Sequence, residues 1–270
     1  MIRILFLGDV VGEPGRTAII KNLSTIQQEH AIDFSIVNGE NSAGGRGITP
    51  KIAKALFAAG TDVITTGDHI WDQREINEYL DEEPNILRPL NYPKKTPGNG
   101  SVIIESAKGK IAVINAQGNT FMNPPLPNPF IEVEKEVEKL RKQDVKVIFL
   151  DFHAETTSEK IAMGYHLDGT VSAVVGTHTH VQTSDNRILA NGTAHLTDAG
   201  MCGPETSVLG RSVESVVWRF KSSLPTRVPV AKGPVRLSGC IVDVDESTGK
   251  AVKIERYSQL MDDTDVIQEG

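Results

Sequence analysis

The sequence predicts an α/β fold in which two sheets are flanked by helices, all within a single domain spanning residues 1–270. In the first half of the chain, short apolar runs typical of buried strands alternate with amphipathic helical segments. After residue 186 the pattern consists mostly of strands, and no linker, internal repeat or low-complexity tract divides the chain. Alternation followed by a strand-rich half predicts sheets covered by helices.

In the first half, a strand, a polar turn and a helix follow one another in this order three times. Gly60 ends the second helix, which opens with Thr49 as cap and Pro50 as first residue. Asp72 with Glu75 three residues later is typical of a capping box for the third helix. The predicted elements are strands at 2–7, 34–37 and 62–65 and helices at 14–30, 49–60 and from 72 onwards.

The second half opens with a loop over residues 84–100 and includes a Pro-rich loop over 119–130, which we interpret as a lid or a subunit contact. Asn128-Pro129 predicts the start of a helix. A further helix is expected at 212–221. The predicted strands are at 101–105, 110–115, 145–150, 171–175, 188–189, 193–197, 235–244 and 251–257.

The composition excludes several classes of protein. Hydrophobic residues make up 39% and charged residues 23%, as in an ordinary globular protein. The net charge of −7 disfavours binding to long nucleic acid. No apolar run suits a membrane helix or a signal peptide, so no membrane partner is expected. Two cysteines without a Cys-x-x-Cys motif indicate a reducing environment and predict a cytoplasmic location.

Polar side chains of the kinds that bind metals stand at the carboxyl ends of five predicted strands. Parallel strands bring such positions to one edge of a sheet, where ligands collect. The eight residues are Asp9, Glu40, Asn41, Asp68, His69, His153, His178 and His180. The remaining histidines, His30, His166 and His195, lie outside this pattern and are predicted to be structural.

Each of these residues also has an ordinary interpretation when it is taken alone. Asp9 and Asp68 could cap helices, and a single histidine is more often a hydrogen-bonded, partly buried residue than a ligand. Their joint occurrence favours a metal site, because three carboxylates crowded with imidazoles are costly to bury unless cations compensate their charge. His, carboxylate and amide ligands suit Mn, Fe, Co or Zn better than Ca or Mg.

Five short motifs carry a resemblance to a known family. They are Gly8-Asp9, Asn38-Gly39-Glu40-Asn41, Gly67-Asp68-His69, Asp151-Phe152-His153-Ala154-Glu155 and Gly176-Thr177-His178-Thr179-His180. This series resembles the calcineurin-like metallophosphoesterases, and more closely their bacterial YmdB-like branch of dinuclear-metal 2′,3′-cyclic-nucleotide phosphodiesterases. The resemblance covers nearly the whole chain and implies a four-layer α/β/β/α sandwich.

The resemblance also implies roles for the residues. One metal would be held by Asp9, Asn41 and His180, and the other by Asp68, His153 and His178. Glu40 would bridge the two ions. A metal-bound hydroxide would attack phosphorus, with His69 as general acid. The family implies two Fe or Mn ions, with Zn or Co as alternatives, and a homo-oligomer. It has Asn where this chain has Asp68, which lowers the net charge of the loaded centre from about +1 to about zero.

The sequence is also compatible with other functions. The same centre could serve a phosphomonoesterase or a phosphodiesterase acting on another small phosphate ester, or the chain could be a regulatory nucleotide-binding protein of low turnover. Four acids are candidates to support the His ligands, namely Asp151, Glu155, Asp168 and Asp198. The Gly-rich segment 44–47 either places Arg46 near a substrate phosphate or forms a plain turn.

Overall fold

A computed structural model describes residues 1–261; residues 262–270, which the predicted domain includes, lie outside the described part. The helices are α1 (Gly12–Glu29), α2 (Pro50–Ala58), α3 (Ile76–Glu82), α4 (Pro129–Lys142), α5 (Thr157–His166) and α6 (Val213–Ser222). A 3-10 turn spans Ile70–Asp72. Within residues 1–261, no helix has both the length and the apolar content that crossing a membrane requires.

Thirteen strands form two mixed sheets within the described residues. The first sheet has the order β2-β11-β12-β1-β3-β4, with β13 paired to β12, and the second has the order β5-β6-β7-β8-β10-β9. The strands are β1 (Ile2–Leu7), β2 (Asp9–Val10), β3 (Phe34–Asn38), β4 (Val63–Thr65), β5 (Ser101–Ser106), β6 (Gly109–Gln117), β7 (Val147–His153), β8 (Ala173–Thr177), β9 (Arg187–Ile188), β10 (Ala194–Leu196), β11 (Met201–Pro204), β12 (Val235–Val244) and β13 (Ala251–Met261).

Alternating side chains of the strands divide the apolar core into three layers. On β1, Leu5 and Leu7 pack with α1 and α2, whereas Phe6 faces the second sheet. The Phe6 ring lies 5.2 Å from that of Phe149 on β7, measured between centroids. On the far side, residues such as Ile114 pack against α4 and α5. Because successive strand residues point to opposite faces, the result is helices, sheet, sheet and helices, as predicted.

The parallel strands position the functional site. β1, β3 and β4 run parallel in the first sheet, and β6, β7, β8 and β10 run parallel in the second. Thr49 caps α2, as predicted, by accepting a hydrogen bond from Ile52 N. Helix α4 starts where Asn128-Pro129 predicted, and Asn128 caps it by accepting from Phe130 N. The carboxyl ends of β3, β4, β7 and β8 lead directly into the polar motifs.

Some predicted elements differ from the structure. The capping box of Asp72 and Glu75 is wrong, because Asp72 ends the 3-10 turn and α3 begins only at Ile76 without a side-chain cap. Helix α5 and the strands β2 and β11 were not predicted from the sequence. Helix α5 lacks a clear apolar stripe because Lys160, buried on its inner face, pairs with Asp198. The strands β2 and β11 are too short to show a periodic pattern.

Candidate metal centre

The structure brings all eight predicted residues together where the two sheets meet. Each stands at or within a few residues of the carboxyl end of a parallel strand, which is the reason that they converge. Asp9 follows β1, Glu40 and Asn41 follow β3, Asp68 and His69 follow β4, His153 ends β7, and His178 and His180 follow β8.

Glu40, Asp68, His153 and His178 form one group of potential ligands. Their donor atoms all lie within 4.8 Å of one another. His153 Nε2 is 3.1 Å from Asp68 Oδ1 and 3.3 Å from Glu40 Oε2. His178 Nδ1 is 3.5 Å from Asp68 Oδ1. Two imidazoles and two carboxylates directed at one point are a donor set that suits a transition metal.

Asp9, Glu40 and His180 form a second group, so Glu40 belongs to both. Asp9 Oδ1 is buried, has no hydrogen-bond partner among residues 1–261, and lies 3.8 Å from His180 Nε2. A buried carboxylate oxygen without a partner is costly unless a cation binds it. Asn41 Nδ2 lies 3.2 Å from His180 Nε2. For Asn41 to bind a cation here, its amide must turn so that the oxygen faces inward.

Burial sets the protonation states of these groups. It raises the pKa of Asp9 to about 7, with a further contribution from Asp198. Burial, followed by the charges of Asp68 and Asp9, raises the pKa of Glu40 well above its usual value. Burial also lowers the pKa of His153 and His180 to about 4, so both imidazoles are neutral at pH 7. Neutral imidazoles and mutually repelling carboxylates are the forms that a cation stabilises.

Asp68 is the exception among the carboxylates. Burial raises the pKa of Asp68, but the surrounding histidines, His178 among them, outweigh burial and lower it. The pKa of His178 is raised in turn, because contact with Asp68 outweighs the effect of burial. These opposite shifts favour an ion pair between Asp68 and His178, whose Oδ1 and Nδ1 atoms lie 3.5 Å apart.

A chain of hydrogen bonds fixes the ring of His153. Thr177 Oγ1 donates to Asp151 Oδ1 at 2.7 Å and lies 2.9 Å from His153 Nδ1. Because the Thr177 hydroxyl proton points at Asp151, His153 Nδ1 carries the hydrogen and donates to Thr177 Oγ1. Asp151 also accepts from Thr65 and Asn38. Nε2 of His153 is therefore left as a lone pair facing Glu40 and Asp68, the tautomer that binds metals.

The segment that carries His178 and His180 has a strained backbone. Both residues have positive φ, 93° and 65°, which non-glycine residues rarely adopt. Thr179 between them is held by Asp198 Oδ2, which accepts from its hydroxyl at 2.5 Å and from its amide at 3.2 Å. Lys160 Nζ donates to the same oxygen at 2.6 Å. The buried ion pair of Lys160 and Asp198 compensates the strain and keeps the imidazoles of His178 and His180 directed at the centre.

Only glycine is tolerated at position 67. A Cβ there would lie 2.3 Å from both Glu40 Oε2 and His153 Nε2, so any other side chain would displace the two potential ligands.

Three of the four predicted supporting acids lie beside the centre. Asp151 and Asp198 act as described above, and Glu155 Oε2 is 3.0 Å from His178 Nε2. Asp168 lies elsewhere and accepts from the backbone of Asn191. Thr177 and Lys160 were missed. Thr177 follows no pattern that marks it as functional, and the partner of Lys160 is close only in the fold.

His69 stands beside the two ligand groups and belongs to neither within the described residues. Its backbone amide donates to Glu40 Oε2 at 3.3 Å, and its side chain is 23% exposed. Nδ1 of His69 lies 3.2 Å from Asp72 Oδ2. Asp72, which was predicted to cap a helix, therefore contacts His69 instead. Burial lowers the pKa of His69, while the carboxylates of Asp68 and Asp72 act in the opposite direction.

Comparison with known proteins finds relatives that match nearly the whole chain. A 2′,3′-cyclic-nucleotide 2′-phosphodiesterase of Bacillus subtilis (strain 168) is 49% identical over 255 residues, 94% of this chain and 96% of that protein. The crystal structure of a novel phosphatase from Mycoplasma pneumoniae superimposes with a TM-score of 0.90 at 35% identity, covering 99% of this chain and 97% of that one.

A more distant structure supports the fold alone. The structure of a putative 5′-nucleotidase from Staphylococcus aureus has a TM-score of 0.62 at 15% identity and covers 99% of this chain and 56% of that one. The predicted fold class is confirmed. The sequence model of the YmdB-like protein family matches residues 5–257, and with the close relatives this confirms the resemblance. The chain belongs to the YmdB-like protein family.

Proposed function

We propose that the chain is a metal-dependent phosphodiesterase that hydrolyses small 2′,3′-cyclic nucleotides. The observation that carries this proposal is the position of Glu40, whose carboxylate belongs to both groups of potential ligands. A shared carboxylate is what a pair of adjacent metal ions requires. The Bacillus subtilis relative, at 49% identity, has this activity by name and supports the choice of substrate.

In the proposed centre, Asp9, Asn41 and His180 would hold one metal ion, and Asp68, His153 and His178 would hold the other. Glu40, which belongs to both groups, would serve both ions. The two ions would supply a nucleophilic hydroxide and positive charge for the phosphoryl oxygens. The chain itself orients the ligands through Asp151, Thr177, Lys160 and Asp198, so that little reorganisation is needed when substrate binds.

The proposed role of His69 is to protonate the ribose oxygen that leaves phosphorus. Alkoxide is a poor leaving group, and a histidine can supply the proton near neutral pH. The Asp72 carboxylate beside Nδ1 fixes the ring and favours a proton on that nitrogen. In the imidazolium form of the ring, which carries a hydrogen on each nitrogen, Nε2 then delivers its proton to the substrate.

We further propose iron or manganese as the bound ions, with zinc or cobalt as alternatives, because the donor set mixes imidazole, carboxylate and amide. A cytoplasmic location and assembly into a homo-oligomer complete the proposal. Metal analysis of protein purified without chelators, and sedimentation velocity at several concentrations, test the metal and the assembly.

The decisive experiment is hydrolysis of 2′,3′-cyclic AMP by protein purified with its metals retained, compared with Glu40→Gln. We expect manganese-supported turnover that disappears in Glu40→Gln together with bound metal. Glu134→Gln is the matched control, because Glu134 is exposed on α4. Absence of bound metal in the unaltered protein would overturn the proposal.

A second candidate function uses the same centre. The Mycoplasma pneumoniae structure is described as a phosphatase, which favours a phosphomonoesterase or a phosphodiesterase acting on other esters. A panel of phosphate monoesters and diesters separates these activities. Two bound metals with no turnover of any ester would instead indicate a regulatory nucleotide-binding protein.

A further inference from the structure

Two arginines from distant parts of the chain meet at the rim of the candidate metal centre. Arg46 lies in the Gly-rich loop after β3, and Arg211 lies just before α6. The Arg211 guanidinium donates to Gly45 O at 2.6 Å and to Gly44 O at 3.4 Å, and these hydrogen bonds hold the loop that carries Arg46.

The loop is shaped to receive Arg211. Gly45 has a φ of +91°, and a Cβ at this position would lie 2.4 Å from Arg211 Nη1. Gly44 and Gly47 also have positive φ, and Gln73 Nε2 donates to Arg46 O at 2.9 Å. The segment is therefore a fixed turn with Arg46 at its exposed tip. A plain turn would not account for the packing of Arg211 against it.

Each arginine is connected to a histidine of the proposed centre through a neighbouring residue. One oxygen of Asp72 lies 3.3 Å from Arg46 Nε and 3.2 Å from His69 Nδ1, so it connects Arg46 to the proposed general acid. On the other side, Leu209 O lies 3.3 Å from His180 Nδ1, two residues before Arg211. Arg46 is therefore connected to the His69 side of the centre, and Arg211 follows closely in the chain after the residue that contacts His180.

The charge of this pair is only partly compensated within residues 1–261. Arg46 has one ion-pair partner, Asp72, and the hydrogen bonds of Arg211 go to neutral carbonyl groups. The side chain of Arg46 is 65% exposed, and its terminal nitrogens have no hydrogen-bond partner among the described residues. In a chain of net charge −7, such a pair is a local site for an anion. Planar guanidinium groups bind phosphate with two parallel hydrogen bonds.

We propose that Arg46 and Arg211 bind a second phosphate of the substrate, on the 5′ side of the nucleoside whose cyclic phosphate is hydrolysed. This inference rests on the proposed function. In-line attack places the leaving ribose oxygen, and hence the nucleoside, on the side of the general acid His69. The nucleoside then extends past His69 towards Arg46. The preferred substrate class is a 2′,3′-cyclic phosphate that carries a further phosphate, either a 5′-phosphorylated mononucleotide or the 3′ end of a short oligoribonucleotide.

Equilibrium binding tests the subsite without relying on turnover. The ligands are adenosine 3′-monophosphate and adenosine 3′,5′-bisphosphate, titrated into protein purified with its metals. We expect the bisphosphate to bind about tenfold more tightly, as charge-assisted hydrogen bonds permit. A dinucleotide with a terminal 3′-phosphate replaces the free 5′-phosphate by a diester and so distinguishes the two sources of the second phosphate.

Substitution identifies the residues responsible. Arg46→Ala and Arg211→Ala should each reduce the ratio of the two dissociation constants towards one, and Arg46→Lys should restore part of it. Arg187→Ala, an exposed arginine on the edge strand β9, should leave the ratio unchanged. Because Arg211 holds the loop, Arg46→Ala is the variant that decides if Arg211→Ala fails to fold.

A ratio near one in the unaltered protein, an unchanged ratio in Arg46→Ala, or no binding of either nucleotide would overturn the subsite. A ratio near ten without hydrolysis of any cyclic nucleotide would preserve the subsite and refute the proposed function instead.

Discussion

Glu40 Oε2 lies 3.3 Å from His153 Nε2, and this contact joins the two sheets of the molecule. Glu40 follows β3 of the first sheet, and His153 is the last residue of β7 of the second. The candidate centre therefore depends on the packing of one sheet against the other. Its ligands come from both sheets because the parallel strands of each present their carboxyl ends at the same edge.

Replacing His69 by alanine should lower the turnover of 2′,3′-cyclic AMP by about a hundredfold to ten-thousandfold, the usual contribution of a general acid. Bound metal should be unchanged, because His69 lies outside both ligand groups. Steady-state kinetics and metal analysis of the same preparation check this. His166→Ala, whose ring packs on Phe130, is the control. Loss of one metal equivalent in His69→Ala would make His69 a ligand.

Replacing Thr177 by valine should weaken metal binding by about tenfold to a hundredfold, the typical effect of losing a partner of a metal-binding histidine. The variant keeps the shape of the side chain but removes the link from Asp151 to His153. Competition with a chelator measures the affinity. Thr65→Val is the matched control. The Thr65 hydroxyl also donates to Asp151, but no hydrogen bond joins Thr65 to His153 within residues 1–261. Equal losses in both variants would argue against ring orientation as the cause.

Replacing Asp68 by asparagine should reduce metal retention and lower the KM for the anionic substrate. The substitution removes one negative charge from the centre, so the ions are held less tightly while their pull on phosphate increases. The ion pair with His178 is lost as well. Metal content after dialysis and the kinetic constants are the measurements. Equal metal retention and equal kinetics in the two proteins would remove the basis of this prediction.

Metal binding should strengthen as the pH rises from 6 to 8. Without metal, Asp9 has a pKa of about 7, so at pH 6 most of it holds a proton that a cation must displace, and the raised pKa values of Glu40 and His178 act in the same direction. His153 and His180, with pKa values of about 4, are already neutral and contribute nothing in this range. Each displaced proton changes the affinity by up to about tenfold per pH unit. Calorimetry in two buffers counts the protons, and equal affinity at pH 6 and 8 would contradict the assignment.

The sequence was sufficient to predict the eight clustered residues, because each follows a strand and the carboxyl ends of parallel strands converge. The Thr49 cap and the helix start at Asn128-Pro129 were correctly predicted because they also depend on local sequence. Asp72 was misassigned because its spacing to Glu75 matches a capping box, whereas its partners, His69 and Arg46, come from the fold. Helix α5 was missed because Lys160 occupies a position where a buried apolar residue is expected.

The sequence by itself determined the order of elements, the family and the set of residue types at the strand ends, since these depend on local periodicity and on motifs. The tertiary structure decided which groups share a ligand, which acid supports which histidine, and which arginines flank the centre. Glu40 joining two ligand groups, Thr177 linking Asp151 to His153, and Arg211 gripping the loop of Arg46 all connect residues far apart in the chain. Such contacts depend on how the two sheets and their loops pack, and no local pattern encodes them.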